Sequence, residues 1–152
     1  MANTQAMCTS FMGELMTATH NFTTGTGNTF KGALYLASAT VNASTTAYSS
    51  TGEVTGTNYT AGGVNITNGT SPASTNSSST AGVAYWTPTA SITYTNVTLS
   101  TAFDAVLIYN SSASNKAVSV HTFGSQTVTA GTFTLTMPSN TTSTALLRLA
   151  TT

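Results

Sequence analysis

Charged residues are scarce in this chain. Only 4% of its residues are Asp, Glu, Lys or Arg, against about 25% in an ordinary globular domain. Three acidic and three basic residues give a formal net charge of zero. Nucleic-acid binding through phosphates needs clustered Lys and Arg, and attraction to an anionic membrane surface needs a basic face. The composition therefore predicts a protein that binds neither nucleic acid nor a membrane.

Cysteine is nearly absent as well, and long apolar runs are missing. The lone Cys8 cannot form a disulfide within the chain, so nothing indicates an oxidising compartment. The first twenty residues have no basic start and do not resemble a secretory signal. No uninterrupted apolar run approaches the roughly 18 residues of a membrane span. We therefore expect synthesis in a cytoplasm.

Side chains that could catalyse a reaction are few and scattered: Cys8, Glu14, His20, Glu53, Asp104 and His121. Acid–base catalysis needs such groups to converge in one pocket, and metal ligands usually stand at close, regular spacing. A pairing of Cys8 with either histidine stays open, since such partners meet only in the fold. A buried thiol on an apolar helix face is the simpler interpretation. We predict no catalytic residue, no cofactor and no metal site.

Thr, Val, Tyr and Phe are abundant, and they suit strands joined by Ser, Asn and Gly turns. We predict an all-β fold in a single domain of residues 1–152, an antiparallel β-sandwich or jelly roll with one short N-terminal α-helix. The low-complexity stretch 69–82 is expected to be an exposed loop. The predicted strands are Ala33 to Ala37, Val64 to Thr67, Val83 to Thr87, Ser91 to Thr98, Ala105 to Tyr109, Val118 to Phe123, Thr127 to Met137 and Ala145 to Leu149.

Two of these strands carry further detail. In the strand that begins at Thr127, apolar residues alternate with threonines, which predicts one apolar and one threonine face. Ala130-Gly131 interrupts the alternation and indicates a bulge or a tight turn. Residues 106–109 are continuously apolar, which predicts a central strand covered on both faces.

The N-terminal segment 1–22 holds the helical pattern, over residues 4–19, with Asn3 as its expected N-cap. Met7, Phe11 and Leu15 lie on one apolar face, and something must cover that face. Either the helix packs on its own sheet, or these three residues are an assembly contact with a neighbouring subunit. Self-packing is favoured, because a bare apolar stripe on an uncharged subunit would promote aggregation.

Tyr85 and Trp86 are a weaker candidate site. Aromatic faces stack on sugar rings, so this pair could belong to a glycan-binding surface. The alternative is an aromatic pair divided between core and surface at a strand end, since Trp and Tyr often bury their rings and hydrogen-bond their polar tips.

Three segments together resemble a family of small structural proteins encoded by tailed bacteriophages. They are Gly56-Thr57-Asn58-Tyr59-Thr60-Ala61-Gly62-Gly63, the run from Val97 through Phe103 to Asn110, and Phe123-Gly124 through Gly131-Thr132-Phe133-Thr134-Leu135. The G-T-F-T-L piece alone would be a weak signal, but three matches in order are much less likely to be accidental.

The resemblance implies a virion component, made in the bacterial host cytoplasm, with no catalytic residues. A capsid decoration or cement protein that binds the outer capsid lattice is the leading expectation. Its partners would be the major capsid protein or other virion proteins, and the chain would be a homo-oligomer or present in many copies on the particle. A tail or head-fibre component, with glycan-based host recognition, is the alternative.

Overall fold

The computed structural model describes residues 2–75 and 82–151. Within them the elements are β1 (Ala6–Met7), α1 (Thr9–Met16), β2 (Phe30–Leu36), β3 (Val64–Asn65), β4 (Ala73–Ser74), β5 (Val83–Trp86), β6 (Ile92–Asn110), β7 (Lys116–Leu135) and β8 (Leu147–Ala150). The strands form two antiparallel sheets, one of five strands in the order β1, β7, β6, β2, β3 and one of three in the order β4, β5, β8. This architecture confirms the predicted all-β fold with one short N-terminal helix.

Strands β6 and β7 are far longer than the sequence suggested, with 19 and 20 residues. The sequence predicted two separate strands in the place of each, and that prediction was wrong. The sequences Ser-Thr-Ala at 100–102 and Gly-Ser-Gln at 124–126 are typical of turns, but the two strands continue past them, as the pairing of Phe103 with Gln126 shows. The irregular spacing is absorbed by register shifts, so β6 and β7 form one continuous two-stranded ribbon.

The bulge expected at Ala130-Gly131 is confirmed. Val97 pairs with Gly131 and Leu99 with Val128, so β7 contains one residue more than β6 over this interval. Ala130 takes a positive φ of 45°, which an alanine tolerates only where the surroundings impose it. The extra residue bends the ribbon at this point.

Beyond the bend, the half of the ribbon that begins at Ile92 and ends at Leu135 packs over the other half and over β2. The Tyr94 hydroxyl donates a hydrogen bond to the Gly32 carbonyl at 2.8 Å. The rings of Phe133 and Phe103 meet edge to face, with centroids 5.0 Å apart. Residues 106–109 are at most 2% exposed, which confirms a central strand covered on both faces. The fold is therefore sandwich-like.

The N-terminal helix is shorter than predicted, and its cap is a different residue. Cys8 occupies the N-cap position without a side-chain cap, so Asn3 as N-cap was wrong. Asn3 instead donates to the Leu36 carbonyl at 2.9 Å and accepts from the Val41 amide at 3.1 Å. Residues 6–7 are extended because the edge of β7 offers them backbone partners, with Ala6 opposite Val120. Pairing with a sheet edge outweighs the weak helical tendency of this segment.

The stretch 69–82 was expected to be an exposed loop. Residues 69–75 are exposed, and within them Ala73–Ser74 form the short strand β4, which pairs with β5 at Tyr85 and Ala84. Residues 76–81 lie outside the described part of the chain.

Candidate functional site

The titratable side chains singled out in the sequence lie in separate parts of the molecule. Glu14 and His20 bond to each other near α1, Glu53 lies among tyrosines, Asp104 accepts from Asn3, and His121 bonds to Ser119. In the described residues, no group of three or more His, Cys, Asp or Glu side chains is placed to hold a metal ion. Among the described residues, these side chains therefore do not come together in one acid–base or metal site.

Cys8 is not positioned as a nucleophile. Its side chain is fully buried, and its thiol makes only a weak contact of 3.9 Å to the Asn42 carbonyl. Burial raises the pKa of the Cys8 thiol to about 11, and the negative charge of Glu14 adds to this. The reactive form of cysteine is the thiolate. A thiol with this pKa stays protonated at neutral pH and behaves as a small apolar side chain.

Glu14 and His20 belong to a network that ties α1 to the body of the fold. Glu14 accepts hydrogen bonds from His20 Nε2 at 2.7 Å and from Lys116 Nζ at 2.6 Å. On its other side, His20 Nδ1 accepts from Asn110 Nδ2 at 3.1 Å, which places the ring proton on Nε2. Burial alone would raise the pKa of Glu14, but the bonds from Lys116 and His20 outweigh it and hold that pKa below its ordinary value.

Glu53 is only 6% exposed and lies at the centre of a group of buried hydrogen bonds. Its carboxylate accepts from the Tyr48 hydroxyl at 2.6 Å, the Tyr59 hydroxyl at 2.8 Å and the Gly62 amide at 2.7 Å. We call Glu53, Tyr48, Tyr59 and Gly62 the Glu53 cluster. A buried carboxylate is tolerated when its lone pairs are satisfied, as they are here.

Further tyrosines enclose the Glu53 cluster. The Tyr109 ring stacks on Tyr48 with centroids 4.8 Å apart, and its hydroxyl donates to the Gly62 carbonyl at 2.7 Å. The Tyr94 ring stacks on Tyr59. Burial, followed by the nearby negative charge of Glu53, raises the pKa of Tyr109 to about 12. The same two causes raise the pKa of Tyr94 further, so both hydroxyls stay protonated at neutral pH and act as hydrogen-bond donors.

The Glu53 cluster explains the first segment of the family resemblance, Gly56 to Gly63. Tyr59 bridges Glu53 and the Leu34 amide, to which its oxygen accepts at 3.0 Å. Gly62 and Gly63 take φ values of 87° and 71°, and a Cβ on Gly63 would fall 1.7 Å from the Gly32 carbonyl oxygen. Only glycine fits this close approach to β2. The tyrosine and glycines of the motif are therefore structural residues.

The three segments of the resemblance are distant in sequence but contact one another. The second segment lies in β6 and the third in β7, and they pair with each other from Val97 opposite Gly131 to Phe103 opposite Gln126. The first segment joins the ribbon through a bridge between Thr57 and Thr98, and through a hydrogen bond of 2.8 Å from Asn58 Nδ2 to the Asn96 carbonyl. The quoted motifs thus form one continuous structural unit. Glu53, which the sequence offered only as one of several scattered titratable residues, lies outside all three segments and accepts hydrogen bonds from Tyr59 and Gly62 of the first.

His121 lies on β7 on the same face as Ser119, and its Nε2 is 2.9 Å from the Ser119 hydroxyl. Burial lowers the pKa of His121 from 6.5 to about 4, so its ring is neutral at physiological pH. Ser119 is only 1% exposed, and no carboxylate in the described residues hydrogen-bonds to His121. The pair lacks both an accessible hydroxyl and the group that would orient a catalytic histidine.

We expect the depressed pKa of His121 to make the fold less stable in mild acid. Above pH 6.5 the His121 ring is neutral in both the folded and the unfolded chain, so it does not lower the stability of the fold there. Between pH 6.5 and about 4 the unfolded chain binds a proton that the folded chain does not, so stability falls as the pH falls. After allowance for partial exposure the loss is about 2 kcal/mol, measurable by urea unfolding at a series of pH values.

His121→Gln is the control for this prediction, because glutamine is neutral throughout the range. Its unfolding free energy should change less than that of the natural chain between these pH values. The weakening of the Glu14 contacts adds only below the ordinary glutamate pKa of 4.5. Parallel profiles for the variant and the natural chain would show that His121 does not cause the acid sensitivity.

An apolar groove separates α1 from the three-stranded sheet. Its walls contain residues of two candidate sites, the assembly contact and the glycan-binding pair. Phe11 and Leu15 form its helix wall, and Tyr85 and Trp86 belong to its sheet wall. Phe11 is 2% exposed and packs edge to face on His20 and Phe22, so its ring lies in the core of its own subunit. Met7, the third candidate assembly contact, is half-buried and lines a different cleft, beside Ser119 and Arg148.

The candidate glycan pair is divided between core and surface. Trp86 is 2% exposed, and its indole N–H donates to Asn68 Oδ1 at 3.0 Å and to the Thr70 carbonyl at 3.1 Å. Its ring packs against Phe22 at 4.8 Å between centroids. Trp86 therefore has no free face on which a sugar could stack, and only the half-buried Tyr85 reaches the surface.

The outer face of the ribbon beyond the bend is covered with threonine. Thr93 lies directly opposite Thr134, and both are exposed. Exposed Thr95, Thr132 and Thr136 extend this face, which we call the threonine surface. No charged residue occurs between 92 and 99 or between 127 and 137. This surface offers hydroxyl and methyl groups to a partner without any electrostatic preference.

Comparison with known proteins gives no relative for this chain. It matches no protein-family model, no curated protein and no solved structure. Its one described helix is too short to cross a membrane, and no other helix in residues 2–75 and 82–151 is available to do so.

Proposed function

We propose that this chain is a structural protein of a tailed-bacteriophage particle, a decoration protein that binds the outer capsid lattice. It would bridge neighbouring copies of the major capsid protein and be present in many copies on the virion. Bridging at several points multiplies weak contacts, so each subunit gains avidity without a large interface. The chain would be made in the host cytoplasm and act only when assembled.

The observation that carries the proposal is the mutual contact of the three segments that resemble the phage family. The second and third segments lie on strands that follow each other in the chain, so the informative contact is the one that the first segment makes with the ribbon from 38 residues away. The three segments form the ribbon and the loop docked on it, through Thr57 opposite Thr98 and Asn58 bonded to Asn96. The resemblance thus corresponds to one folded unit and not to isolated strings of residues.

Two surfaces of the ribbon suit attachment to a lattice. The threonine surface is uncharged, so it can pack closely without leaving a charge unpaired. Within the described residues, the strand neighbours of β7 are β6 and the two-residue β1, which pairs only at Ser119 and Val120. The outer edge of β7 beyond Val120 therefore keeps backbone groups that could pair with a strand of a neighbour.

Copy number on purified particles tests this proposal. We expect quantitative gel densitometry to find the chain at a ratio to the major capsid protein that corresponds to hundreds of copies per particle. A ratio of a few dozen copies or fewer would assign it to the tail or to head fibres. Its absence from particles would refute a virion role altogether.

A charge placed on the threonine surface tests where the chain attaches. Thr134→Arg should leave the melting temperature nearly unchanged, because exposed substitutions alter stability by about 0.5 kcal/mol or less. The same variant should bind less to particles in a co-sedimentation assay. Thr51→Arg, at an exposed position in the loop before Glu53, is the matched control and should bind normally. Equal binding of both variants would show that the threonine surface does not attach the chain to particles.

A further inference from the structure

A cleft lies between β1, at the edge of the five-stranded sheet, and residues 145–148 at the start of β8. Its volume is about 310 Å³, and small-molecule sites usually measure about 300 to 1,000 Å³. Ala6 and Met7 on one side and Leu146 on the other are half-buried apolar residues of its lining. The cleft therefore has room for one small molecule with an apolar part.

The polar residues that line this cleft include no acid among those the structure describes. They are Gln5, Ser119, His121 and Arg148. Ser119 and His121 bond to each other at 2.9 Å, and burial lowers the pKa of His121 to about 4, so both are uncharged at neutral pH. Arg148 is exposed and gives the described lining its one charge. The cleft therefore favours a ligand with a single negative charge.

The positive charge of Arg148 has no acidic partner in the described part of the chain. Its Nε donates to the Thr142 carbonyl at 2.6 Å, which uses one of the five donors of the guanidinium. The three acidic side chains, Glu14, Glu53 and Asp104, accept hydrogen bonds from other residues. Arginine binds a carboxylate through paired, charge-assisted hydrogen bonds. The remaining donors of Arg148 are thus suited to a carboxylate that a ligand supplies.

We propose that this cleft binds a small carboxylic acid in its ionised form, with an apolar body attached to the carboxylate. Arg148 pairs with the carboxylate, and the apolar body lies against Met7 and Leu146. A phosphate group suits the cleft less, because it carries about 1.5 to 2 negative charges at neutral pH. This inference is independent of the proposed function, since the cleft is separate from the threonine surface.

Heteronuclear NMR of the isotope-labelled full chain, titrated with phenylacetate, tests the site. We expect the amide signals of residues 5–7, 119–121 and 145–148 to shift, with a dissociation constant of about 1 mM, as for other ligands of this size. Phenylacetamide has the same shape without the charge. It should bind at least about tenfold more weakly, because it lacks the charge-assisted bonds to Arg148.

Arg148→Met keeps most of the apolar stem of the side chain and removes the guanidinium. It should weaken phenylacetate at least about tenfold and leave the binding of phenylacetamide unchanged. Lys31→Met is the matched control, since it removes a positive charge from β2, outside the lining of the cleft. This variant should bind phenylacetate like the natural chain. Melting curves verify that both variants are folded.

Three results would overturn the inference. One is the absence of shifts at these residues at any soluble concentration of phenylacetate. Another is equal binding of phenylacetate and phenylacetamide. The third is an equal effect of Arg148→Met and Lys31→Met, because the carboxylate would then not meet Arg148. None of these results bears on whether the chain is found on particles.

The C-terminal carboxylate of a peptide has the same chemistry as a free acid, and a tripeptide ending in phenylalanine separates the two sources. If the tripeptide binds more tightly than phenylacetate, and its C-terminal amide does not, the ligand is the end of a peptide chain. If it binds more weakly, the ligand is a free small acid. Either result supports the carboxylate site at Arg148.

Discussion

Replacing Glu53 with alanine is expected to lower the free energy of unfolding by at least about 3 kcal/mol. The substitution leaves the hydroxyls of Tyr48 and Tyr59 and the amide of Gly62 without their acceptor. A buried donor that loses its partner costs about 1 to 3 kcal/mol, and here three lose it together. Domains of this kind are stable by only about 5 to 15 kcal/mol. Urea unfolding followed by tyrosine and tryptophan fluorescence measures the loss.

Two milder variants show whether the hydrogen bonds are responsible. Tyr48→Phe removes a single bond to Glu53 and should destabilise by about 1 kcal/mol. Glu53→Gln keeps the shape of the side chain and one acceptor oxygen, so it should fall between Tyr48→Phe and Glu53→Ala. A loss of less than 1 kcal/mol for Glu53→Ala would mean that water or a shift of the loop replaces the carboxylate. The Glu53 cluster would then be incidental to stability.

Phe11→Ala is expected to destabilise the free subunit by about 3 to 5 kcal/mol, the range for a large aromatic removed from a core. Phe11 is 2% exposed and packs on both His20 and Phe22. Its loss leaves a cavity between α1 and the sheet, which the neighbours fill only in part. A melting curve of the purified subunit should show a clear fall in the transition temperature.

Met12→Ala is the matched control, because it removes a similar apolar volume from the next residue of the same helix. Met12 is 47% exposed, so the variant should melt close to the natural chain. If Phe11→Ala also melted normally while its attachment to particles was lost, the helix would be an assembly anchor. The burial of Phe11 favours the first result.

Much of the fold could be predicted because most strands carry a local signal. The apolar run at 106–109 and the threonine alternation from Thr127 are visible in the sequence, and so is the interruption at Ala130-Gly131. The continuity of β6 and β7 was not predictable in this way. Residues such as Ser100 and Gly124 have turn composition, and the strands continue through them because flanking residues such as Phe103 and Gln126 pair across the ribbon. The same holds for Ala6 and Met7, which become a strand because β7 lies beside them.

The candidate sites were harder to predict, because their members come together only in three dimensions. Phe11 and Tyr85 were assigned to different hypotheses, yet both line the same groove. Glu53 looked like an isolated acid, because nothing in the sequence connects it with Tyr48 and Tyr59, whose hydroxyls bond to it. The one local signal for the Glu53 cluster was a tyrosine close to paired glycines. Nothing in that signal indicated that a buried carboxylate would be the common acceptor.

The order of the strands in the five-stranded sheet has a consequence for how the chain folds during synthesis. Only the turn at residues 111–115 separates β6 from β7, so the two strands of the ribbon are made one directly after the other. In contrast, Phe30 pairs with Asn110 and Ala6 pairs with Val120. The first thirty residues therefore have no strand partner until the ribbon leaves the ribosome. Such non-local pairing is slow, in the range of milliseconds to seconds, so the ribbon should form first and recruit the earlier-made strands to its edges.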